Sequence, residues 1–272
     1  MLRKIGNTRA RKRKGKTVFT RAIVRRPCRN MINGITTADL GQPDYELACE
    51  QHTRYIHALR SLGLEVTVLP PLEEYPDSCF VEDPAVLNRD CALLTNPGAP
   101  SRNGEKDELL PELTRFYSLE QLYCIQAPGT VEGGDVMQVG SDYYIGRSLR
   151  SNEEGCRQFS LIMQEEGYRV TVVELREFLH LKSGLSYLEN NVLLVTGEFV
   201  DHPLFASFDR IVVPAEEAYA ANSLWINGTV LVPEGFPQTL SRIREAGYPT
   251  LVLDMSEFRK LDGGLSCLSL RF

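Results

Sequence analysis

The fold of this chain is indicated most clearly by residues 135–173, which read DVMQVGSDYYIGRSLRSNEEGCRQFSLIMQEEGYRVTVV. Short apolar and β-branched runs in this stretch predict strands, and one run with apolar residues at helical spacing predicts an amphipathic helix. Gly167 follows the predicted helix directly, at a position where glycine commonly ends helices. The stretch therefore predicts a strand–strand–helix–strand unit, with strands at 135–139, 143–145 and 168–173 and a helix at 156–166.

Parts of this unit recur along the chain. Strand-like runs begin near residues 82, 132, 180, 222 and 263, at steps of 50, 48, 42 and 41 residues, which indicates a weak internal repeat. The other predicted helix–glycine–strand segments are 55–62 with Gly63 and 64–69, and 240–246 with Gly247 and 248–253, while 107–117 with 122–126 lacks the glycine. The other predicted strand pairs are 81–86 with 91–95, 185–188 with 192–195, and 223–226 with 229–232.

The last predicted strand, at 265–270, has no partner after it, and the run 18–24 at the other end of the chain supplies one. We therefore predict an α/β fold of five pseudo-symmetric units, a small α/β propeller closed by pairing of the N- and C-terminal strands. Such closure leaves few exposed strand edges. No Pro-, Ser- or Gly-rich linker divides the chain, so residues 17–272 are predicted to form a single domain.

Charge is distributed unevenly along the chain. The whole chain has a net charge of -6, but residues 1–38 hold twelve Lys or Arg and no acid, so the remainder carries 18 bases against 36 acids. We predict that residues 1–16 are a basic, disordered extension with no part in the chemistry. The acidic remainder favours a cationic small molecule over a nucleic acid as partner. No apolar run reaches the roughly 20 residues of a membrane span, so no membrane partner is expected.

The seven cysteines include no C-x-x-C pair, and no apolar signal segment follows the basic start. This pattern predicts reduced thiols in a cytoplasmic protein instead of a disulfide framework or a zinc site. Gly133-Gly134 and Gly263-Gly264 lack the strand–loop–helix context of a dinucleotide site, and no phosphate-binding loop is present. We therefore expect neither a metal nor a cofactor.

The repeat predicts that the starts of equivalent strands converge at one end of the axis. Four segments would meet there, bringing together several carboxylates, one histidine and one cysteine: 77–83, 131–135, 179–183 and 262–267. Each feature alone has an ordinary interpretation, since a lone cysteine is usually a small buried hydrophobe and Glu-Gly-Gly-Asp alone is a turn. Their joint occurrence at matching positions favours a catalytic site, because thiol nucleophiles are activated by an imidazole and an acid.

These residues resemble the guanidino-group-modifying enzymes of the pentein superfamily, and within it the dimethylarginine dimethylaminohydrolases of the bacterial type. The resemblance runs in order and spacing from about residue 19 to residue 272. The five-unit α/β propeller is the fold of that superfamily, which agrees with the repeat. The most specific segments are 41–45 (GQPDY), 76–84 (PDSCFVEDP), 97–102 (PGAPSR), 127–135 (APGTVEGGD), 180–182 (HLK) and 262–272 (DGGLSCLSLRF).

The resemblance implies a catalytic set. Cys267 would be the nucleophile, His180 the general acid and base, and Glu132 the acid that holds both His180 and the guanidinium group. The Cys267 thiolate would attack the guanidinium carbon and His180 would protonate the departing amine, leaving a covalent thiouronium. Water deprotonated by His180 would then release citrulline.

The resemblance also implies a set of residues that bind a methylated L-arginine. Asp83, with Glu82 beside it, would bind the guanidinium nitrogens, because carboxylates hold and orient a planar cation. The other implied contacts are Asp77 and the main-chain carbonyl of Ile35 with the α-ammonium group, Phe80 with the alkyl stem, and Arg102 and Arg150 with the α-carboxylate.

Three functions remain open at this point: hydrolysis of methylated arginine, deimination of arginine or agmatine, and a non-catalytic propeller that binds a macromolecule. Cys267 and His180 together argue against the binding module, which needs neither. Lys182 favours methylated arginine over the substrates of the deiminases. In the deiminases the corresponding pattern is His-x-Asp, and the carboxylate of that Asp holds the far guanidinium nitrogen. Arg102 and Arg150 favour a free amino acid over agmatine, which lacks the carboxylate. The sequence leaves open whether mono- or dimethylarginine is preferred and whether the chain forms a homodimer.

Overall fold

The structure, a computed structural model, describes residues 18–272, and this part of the chain contains five three-stranded sheets. The extension predicted at 1–16 lies outside the described residues. The strands are β1 Arg21–Arg25, β2 Glu65–Leu69, β3 Ala85–Leu87, β4 Ala92–Leu94, β5 Leu122–Cys124, β6 Val136–Val139, β7 Asp142–Arg147, β8 Arg169–Glu174, β9 Leu185–Tyr187, β10 Val192–Val195, β11 Asp209–Val212, β12 Leu224–Ile226, β13 Thr229–Pro233, β14 Thr250–Leu253 and β15 Leu270–Arg271. The sheets are β15-β1-β2, β3-β4-β5, β6-β7-β8, β9-β10-β11 and β12-β13-β14.

All five sheets share one topology. In each sheet the middle strand is antiparallel to one neighbour and parallel to the other. β1 is antiparallel to β15, with Ala22 opposite Arg271, so the two ends of the described chain pair as predicted. A parallel neighbour cannot be reached through a tight turn, which is why a helix or a longer connection precedes the parallel strand of each sheet.

The described helices confirm the helix–glycine–strand pattern. Gly63, Gly167 and Gly247 follow three of them with φ of 90°, 84° and 89°, the left-handed conformation that glycine adopts at helix ends. The first helix begins ten residues earlier than predicted, because the Asp44 side chain accepts the Leu47 N–H at 3.0 Å and caps it. None of the described helices is both long and apolar enough to cross a membrane. The helices are α1 Tyr45–Ser61, α2 Leu110–Leu113, α3 Glu153–Glu165, α4 Leu181–Gly184, α5 Pro237–Glu245 and α6 Ser256–Arg259.

The prediction of a continuous strand at 265–270 is wrong. Ser266–Leu268 forms a 3-10 turn, and the strand β15 begins only at Leu270. Asn222 stabilises this turn, because its Oδ1 accepts the Ser266 N–H at 3.0 Å. Cys267 therefore lies in this turn and not in a strand.

The fourth sheet departs from the predicted strand–strand–helix–strand unit. Two 3-10 turns, Gly197–Phe199 and Pro203–Phe205, stand where the other units have an α-helix. The parallel strand β11 follows them, and the sequence pattern does not predict it. α2 is likewise a single short turn of helix within the longer helix predicted at 107–117.

Apolar residues form several separate clusters within the described chain, and a number of ionisable residues are buried as well. Burying a charge is unfavourable unless it is paired and hydrogen-bonded. The concentration of buried charge therefore marks the region that the fold devotes to polar contacts. Its members, all at most 5% exposed, include Asp77, Glu82, Asp83, Arg102, Glu105, Glu132 and Asp135.

Candidate active site

A cavity of about 440 Å³ is lined by both Cys267 and His180. Cys267 reaches it from the turn before β15, and His180 from the residue before α4. The loop 37–40 and Tyr219 form other parts of the wall. The structure thus brings together the two residues predicted to carry the chemistry, although they are far apart in the chain.

The imidazole of His180 is bonded to a fully buried carboxylate. Its Nε2 lies 2.8 Å from Oε2 of Glu132, which has no exposed surface. Gly134 permits the close packing, because a Cβ atom there would lie 2.8 Å from the ring. Burial disfavours the charged imidazole, but the charge of Asp135, the hydrogen bond to Glu132 and the charge of Asp83 raise the His180 pKa to about 9. His180 therefore carries a proton at neutral pH.

Glu132 is kept ionised by its neighbours. Its Oε1 accepts hydrogen bonds from Nη1 of Arg150 and from the backbone N–H of Ala99, both at 3.2 Å. Burial opposes ionisation, but the hydrogen bond and charge of His180, with the charges of Arg102 and Arg150, lower the Glu132 pKa to about 2. A buried carboxylate in this state orients the imidazole and favours its protonated form.

The thiol of Cys267 lies 3.4 Å from the backbone N–H of Gly264. Burial, with the charges of Glu82 and Asp83, raises the Cys267 pKa to about 12. The Gly264 N–H and the charge of Lys182 act in the opposite direction. The thiol is therefore protonated in the free site, and a further positive charge is needed to favour the thiolate.

Asp83, Glu132 and His180 form a close group, with one potential ligand atom from each lying within 4.8 Å of the others. Such a group is compact enough to hold a metal ion. Here Asp83 is bonded to Arg102, and Glu132 is bonded to Arg150 and to the imidazole. These pairings are typical of a charge network that orients a proton donor.

Comparison with known proteins identifies the family. Residues 36–229, more than half of the chain, match the model of the eukaryotic N,N dimethylarginine dimethylhydrolases. The N(G),N(G)-dimethylarginine dimethylaminohydrolase of Pseudomonas aeruginosa is 49% identical over 94% of this chain and 100% of that protein. This chain belongs to the dimethylarginine dimethylaminohydrolase family.

Solved structures agree with that membership. The Pseudomonas aeruginosa dimethylarginine dimethylaminohydrolase, as a cysteine-to-serine mutant complexed with citrulline, has a TM-score of 0.93 and 48% identity, covering 94% of this chain and 100% of that chain. A histidine-to-glycine dimethylarginine dimethylaminohydrolase in an adduct with S-methyl-L-thiocitrulline has a TM-score of 0.92 at 48% identity and the same coverage. The N-terminal domain of ArgZ, an arginine dihydrolase from cyanobacteria, is 19% identical with a TM-score of 0.83 over 94% of this chain and 97% of that chain, and shows a shared fold alone.

In this dimethylarginine dimethylaminohydrolase fold, the two arginines predicted to bind the substrate carboxylate differ in their surroundings. The Arg102 side chain is 6% exposed, and its Nε and Nη2 donate to Glu105 at 2.9 and 2.8 Å. Its Nη1 lies 2.5 Å from Oδ2 of Asp83. The Arg150 side chain is 17% exposed and pairs with Glu132. Arg150 is therefore the more exposed of the two, while Arg102 holds Asp83 in position, and neither side chain lines the cavity that contains Cys267 and His180.

The Glu82 carboxylate forms ion pairs with two cationic side chains and accepts a hydrogen bond from a hydroxyl. Its Oε1 lies 2.6 Å from Nζ of Lys182 and 2.8 Å from Nη2 of Arg271, and its Oε2 accepts the Ser266 hydroxyl at 2.7 Å. Lys182 is thus an ion-pair partner of Glu82. Binding of the guanidinium nitrogens by Glu82 stays a prediction, since both of its oxygens already have protein partners.

The groups predicted to receive the α-ammonium and the alkyl stem lie in neighbouring positions. Asp77 accepts the backbone N–H of Ile35 at 3.1 Å, so the carboxylate and this loop backbone are adjacent. Phe80 is buried and packs edge-on against Phe258, with ring centroids 6.2 Å apart. A Cβ atom at Gly263 would lie 2.2 Å from the Phe80 ring, so glycine lets this ring pack against the segment that leads to Cys267.

Some polar residues of this dimethylarginine dimethylaminohydrolase site are not identified by sequence reasoning. Asn222 donates to the Lys182 carbonyl at 2.9 Å and to the Ser266 hydroxyl at 3.1 Å, so it connects the segment after His180 to the turn that contains Cys267. Asn222 begins a predicted strand pair, and the repeat is therefore the signal that points to it. Glu105, which holds Arg102, lies away from the repeated positions and has no such signal.

Proposed function

We propose that this chain hydrolyses N-omega-methylated L-arginine, mono- or dimethylated, to L-citrulline and methylamine or dimethylamine. The observation that carries the proposal is the His180–Glu132 pair, whose imidazole shares one cavity with Cys267. Membership of the dimethylarginine dimethylaminohydrolase family supports it. The citrulline complex of the Pseudomonas aeruginosa relative supports the same product.

The substrate brings the positive charge that the nucleophile requires. Burial keeps the Cys267 pKa at about 12 in the free site. A guanidinium about 4 Å from Sγ stabilises the thiolate by about 4 kcal/mol at an effective dielectric of about 20. The proton leaves to solvent, because the His180 pKa of about 9 means that His180 is already protonated at neutral pH.

The reaction then proceeds in two balanced steps. The Cys267 thiolate forms a bond to the guanidinium carbon, His180 donates its proton to the methylated nitrogen, and the carbon–nitrogen bond breaks to release neutral amine. A thiouronium remains on Cys267. Neutral His180 removes a proton from water, and the hydroxide adds to the same carbon. The carbon–sulfur bond then breaks as the added hydroxyl gives its remaining proton to sulfur, so citrulline leaves and the Cys267 thiol and protonated His180 of the free site are restored. Asp83 and Glu132 hold the guanidinium plane during both steps.

Alkylation of Cys267 is expected to depend on the charge of the reagent. With a neutral haloacetamide, the rate rises with pH towards a pKa far above that of an ordinary thiol, because burial raises the Cys267 pKa to about 12. A cationic haloamidine of similar size is expected to react with a lower apparent pKa, since its charge favours the thiolate. The rate constant for alkylation of Cys267 is measured from pH 6 to 10 with each reagent. A free thiol treated with the same reagent gives the reference for the intrinsic reactivity of that reagent. Equal apparent pKa values for both reagents would contradict substrate-assisted ionisation.

Loss of Arg150 is expected to raise KM more than it lowers kcat. In an Arg150→Ala variant the substrate loses a charge-assisted contact worth about 1.5–3 kcal/mol, so KM for methylarginine rises by roughly tenfold to a hundredfold. Methylguanidine has no carboxylate and is expected to lose far less. Arg102→Ala serves as the comparison, because it also removes the partner of Asp83 and Glu105 and should lower thermal stability. Equal losses with methylarginine and methylguanidine in Arg150→Ala would make Arg150 structural.

A panel of guanidines separates the candidate functions. The purified chain is incubated with dimethylarginine, monomethylarginine, arginine and agmatine, and the release of citrulline, amine and ammonia is measured. Faster release of citrulline from a methylated arginine supports the proposal. Preferential turnover of arginine or agmatine would favour a deiminase, and no turnover of any of the four would favour a binding module.

For the architecture, we propose that the five sheets surround one axis as a closed five-unit propeller. The common topology of the sheets and the pairing of β1 with β15 support this arrangement. The single domain at 17–272, a cytoplasmic location and a homodimer remain predictions.

A further inference from the structure

Asp135 is a fully buried carboxylate that takes no part in the chemistry proposed above. It has no exposed surface and lies three residues after Glu132. Its Oδ2 accepts the hydroxyls of Ser148 at 2.7 Å and Ser151 at 2.6 Å. Its Oδ1 accepts the backbone N–H of Leu181 at 3.0 Å.

Each partner of Asp135 belongs to a segment that carries a proposed site residue. The Ser148 hydroxyl oxygen accepts the backbone N–H of Arg150 at 3.0 Å. The Ser151 hydroxyl oxygen accepts the backbone N–H of Glu132 at 3.0 Å. The third partner is the residue that follows His180. One buried carboxylate therefore connects the backbones of all three segments.

Asp135 is tightly packed against β7, and it interacts electrostatically with His180. A Cβ atom at Gly146 would lie 2.8 Å from Oδ1 of Asp135, so β7 packs here only with glycine. Burial raises the Asp135 pKa, while the His180 charge, the two serine hydroxyls and the Leu181 N–H oppose that rise. In return, Asp135 is the strongest of the influences that raise the His180 pKa to about 9.

We propose that Asp135 is a positioning residue for the hydrolysis of methylated arginine: it fixes the Arg150 loop against the His180 segment and places a second negative charge near the imidazole. The inference rests on the proposed function. Glu132 orients the ring by direct contact, whereas Asp135 acts through the backbone and through its charge.

Asp135→Asn is the direct test, because it removes the charge and keeps an oxygen that can accept the Leu181 N–H. The His180 pKa is expected to fall, so the alkaline limb of the kcat/KM profile moves to lower pH by about one unit or more. At neutral pH, kcat is expected to fall about tenfold, which is less than the roughly 10²–10⁴ that a positioned general acid contributes as a whole. Nitrogen-15 NMR of the four histidines, with the His180 signal assigned by its loss in His180→Gly, reports the pKa directly.

Ser148→Ala separates positioning from charge, because it leaves the carboxylate in place and removes one bond to the Arg150 loop. KM for methylarginine is expected to rise about tenfold, with methylguanidine and the pH profile unchanged. Asp142→Asn is the matched control, since Asp142 lies on the adjoining hairpin, is 29% exposed and pairs with Arg169 at the surface. It should behave as the wild type.

Failure of this inference is distinguishable from failure of the proposed function. A wild-type chain that releases no citrulline from any methylarginine would end the proposed function. An active wild type whose Asp135→Asn variant keeps the same kcat and the same His180 pKa would end the inference alone. Uniform loss on all substrates without a pKa change would show a purely structural role. If the Asp135→Asn variant does not fold, the Ser148→Ala and Ser151→Ala variants replace it as the test. A KM for methylarginine equal to the wild-type value in both of them would overturn the inference.

Discussion

Replacement of Cys267 by serine is expected to lower kcat for methylated arginine more than about a hundredfold while citrulline still binds. A hydroxyl without a strong base is a far weaker nucleophile than a thiolate, and the exchange barely changes the side-chain volume. A hundredfold loss corresponds to about 2.7 kcal/mol of barrier. Release of citrulline measures kcat, and calorimetric titration of the same preparation measures the Kd of citrulline.

The matched control for that experiment is Cys49→Ser. Cys49 is a partly exposed cysteine of α1 and does not line the cavity that contains Cys267. Its replacement should leave kcat near the wild-type value. More than about one hundredth of wild-type kcat remaining in Cys267→Ser would contradict the assignment of the nucleophile.

A His180→Gly variant is expected to distinguish proton transfer from mere orientation of the thiol. An alkylamine leaves poorly unless it is protonated, so turnover of methylarginine should fall by about 10²–10⁴. A thiocitrulline analogue carrying an S-alkyl group releases a thiolate and needs no such proton. Its first step should survive, and the adduct should accumulate because no base remains to activate water.

Mass spectrometry of the quenched His180→Gly reaction measures this outcome. The expected spectrum shows the adduct on the peptide that contains Cys267. His202→Gly, a change at a histidine outside the cavity, is the control and should turn over both substrates normally. Turnover of methylarginine at nearly the wild-type rate, or an adduct on any other cysteine, would overturn the role given to His180.

Most of the fold is predictable because its signals are local. The helix–glycine–strand order around Gly63, Gly167 and Gly247 depends on hydrophobic periodicity and on the conformational freedom of glycine, and both act within a few residues. The strand β11 escapes prediction because the helix that marks the other units is absent before it. The turn at Ser266–Leu268 escapes because Asn222, which stabilises it, is distant in sequence.

The order of the units and the residue types of the candidate site are readable from the amino-acid order, because a cysteine, a histidine and carboxylates stand at repeated positions. How these groups are charged depends on the folded structure. The His180 pKa of about 9 and the Cys267 pKa of about 12 depend on burial and on charges from other segments, which the order of residues does not reveal. The same is true of the pairing of Glu82 with Lys182 and Arg271, and of the bonds that Asp135 makes. The ionisation state of a buried group depends on the charges and hydrogen bonds around it, and here those partners come together only when the chain has folded.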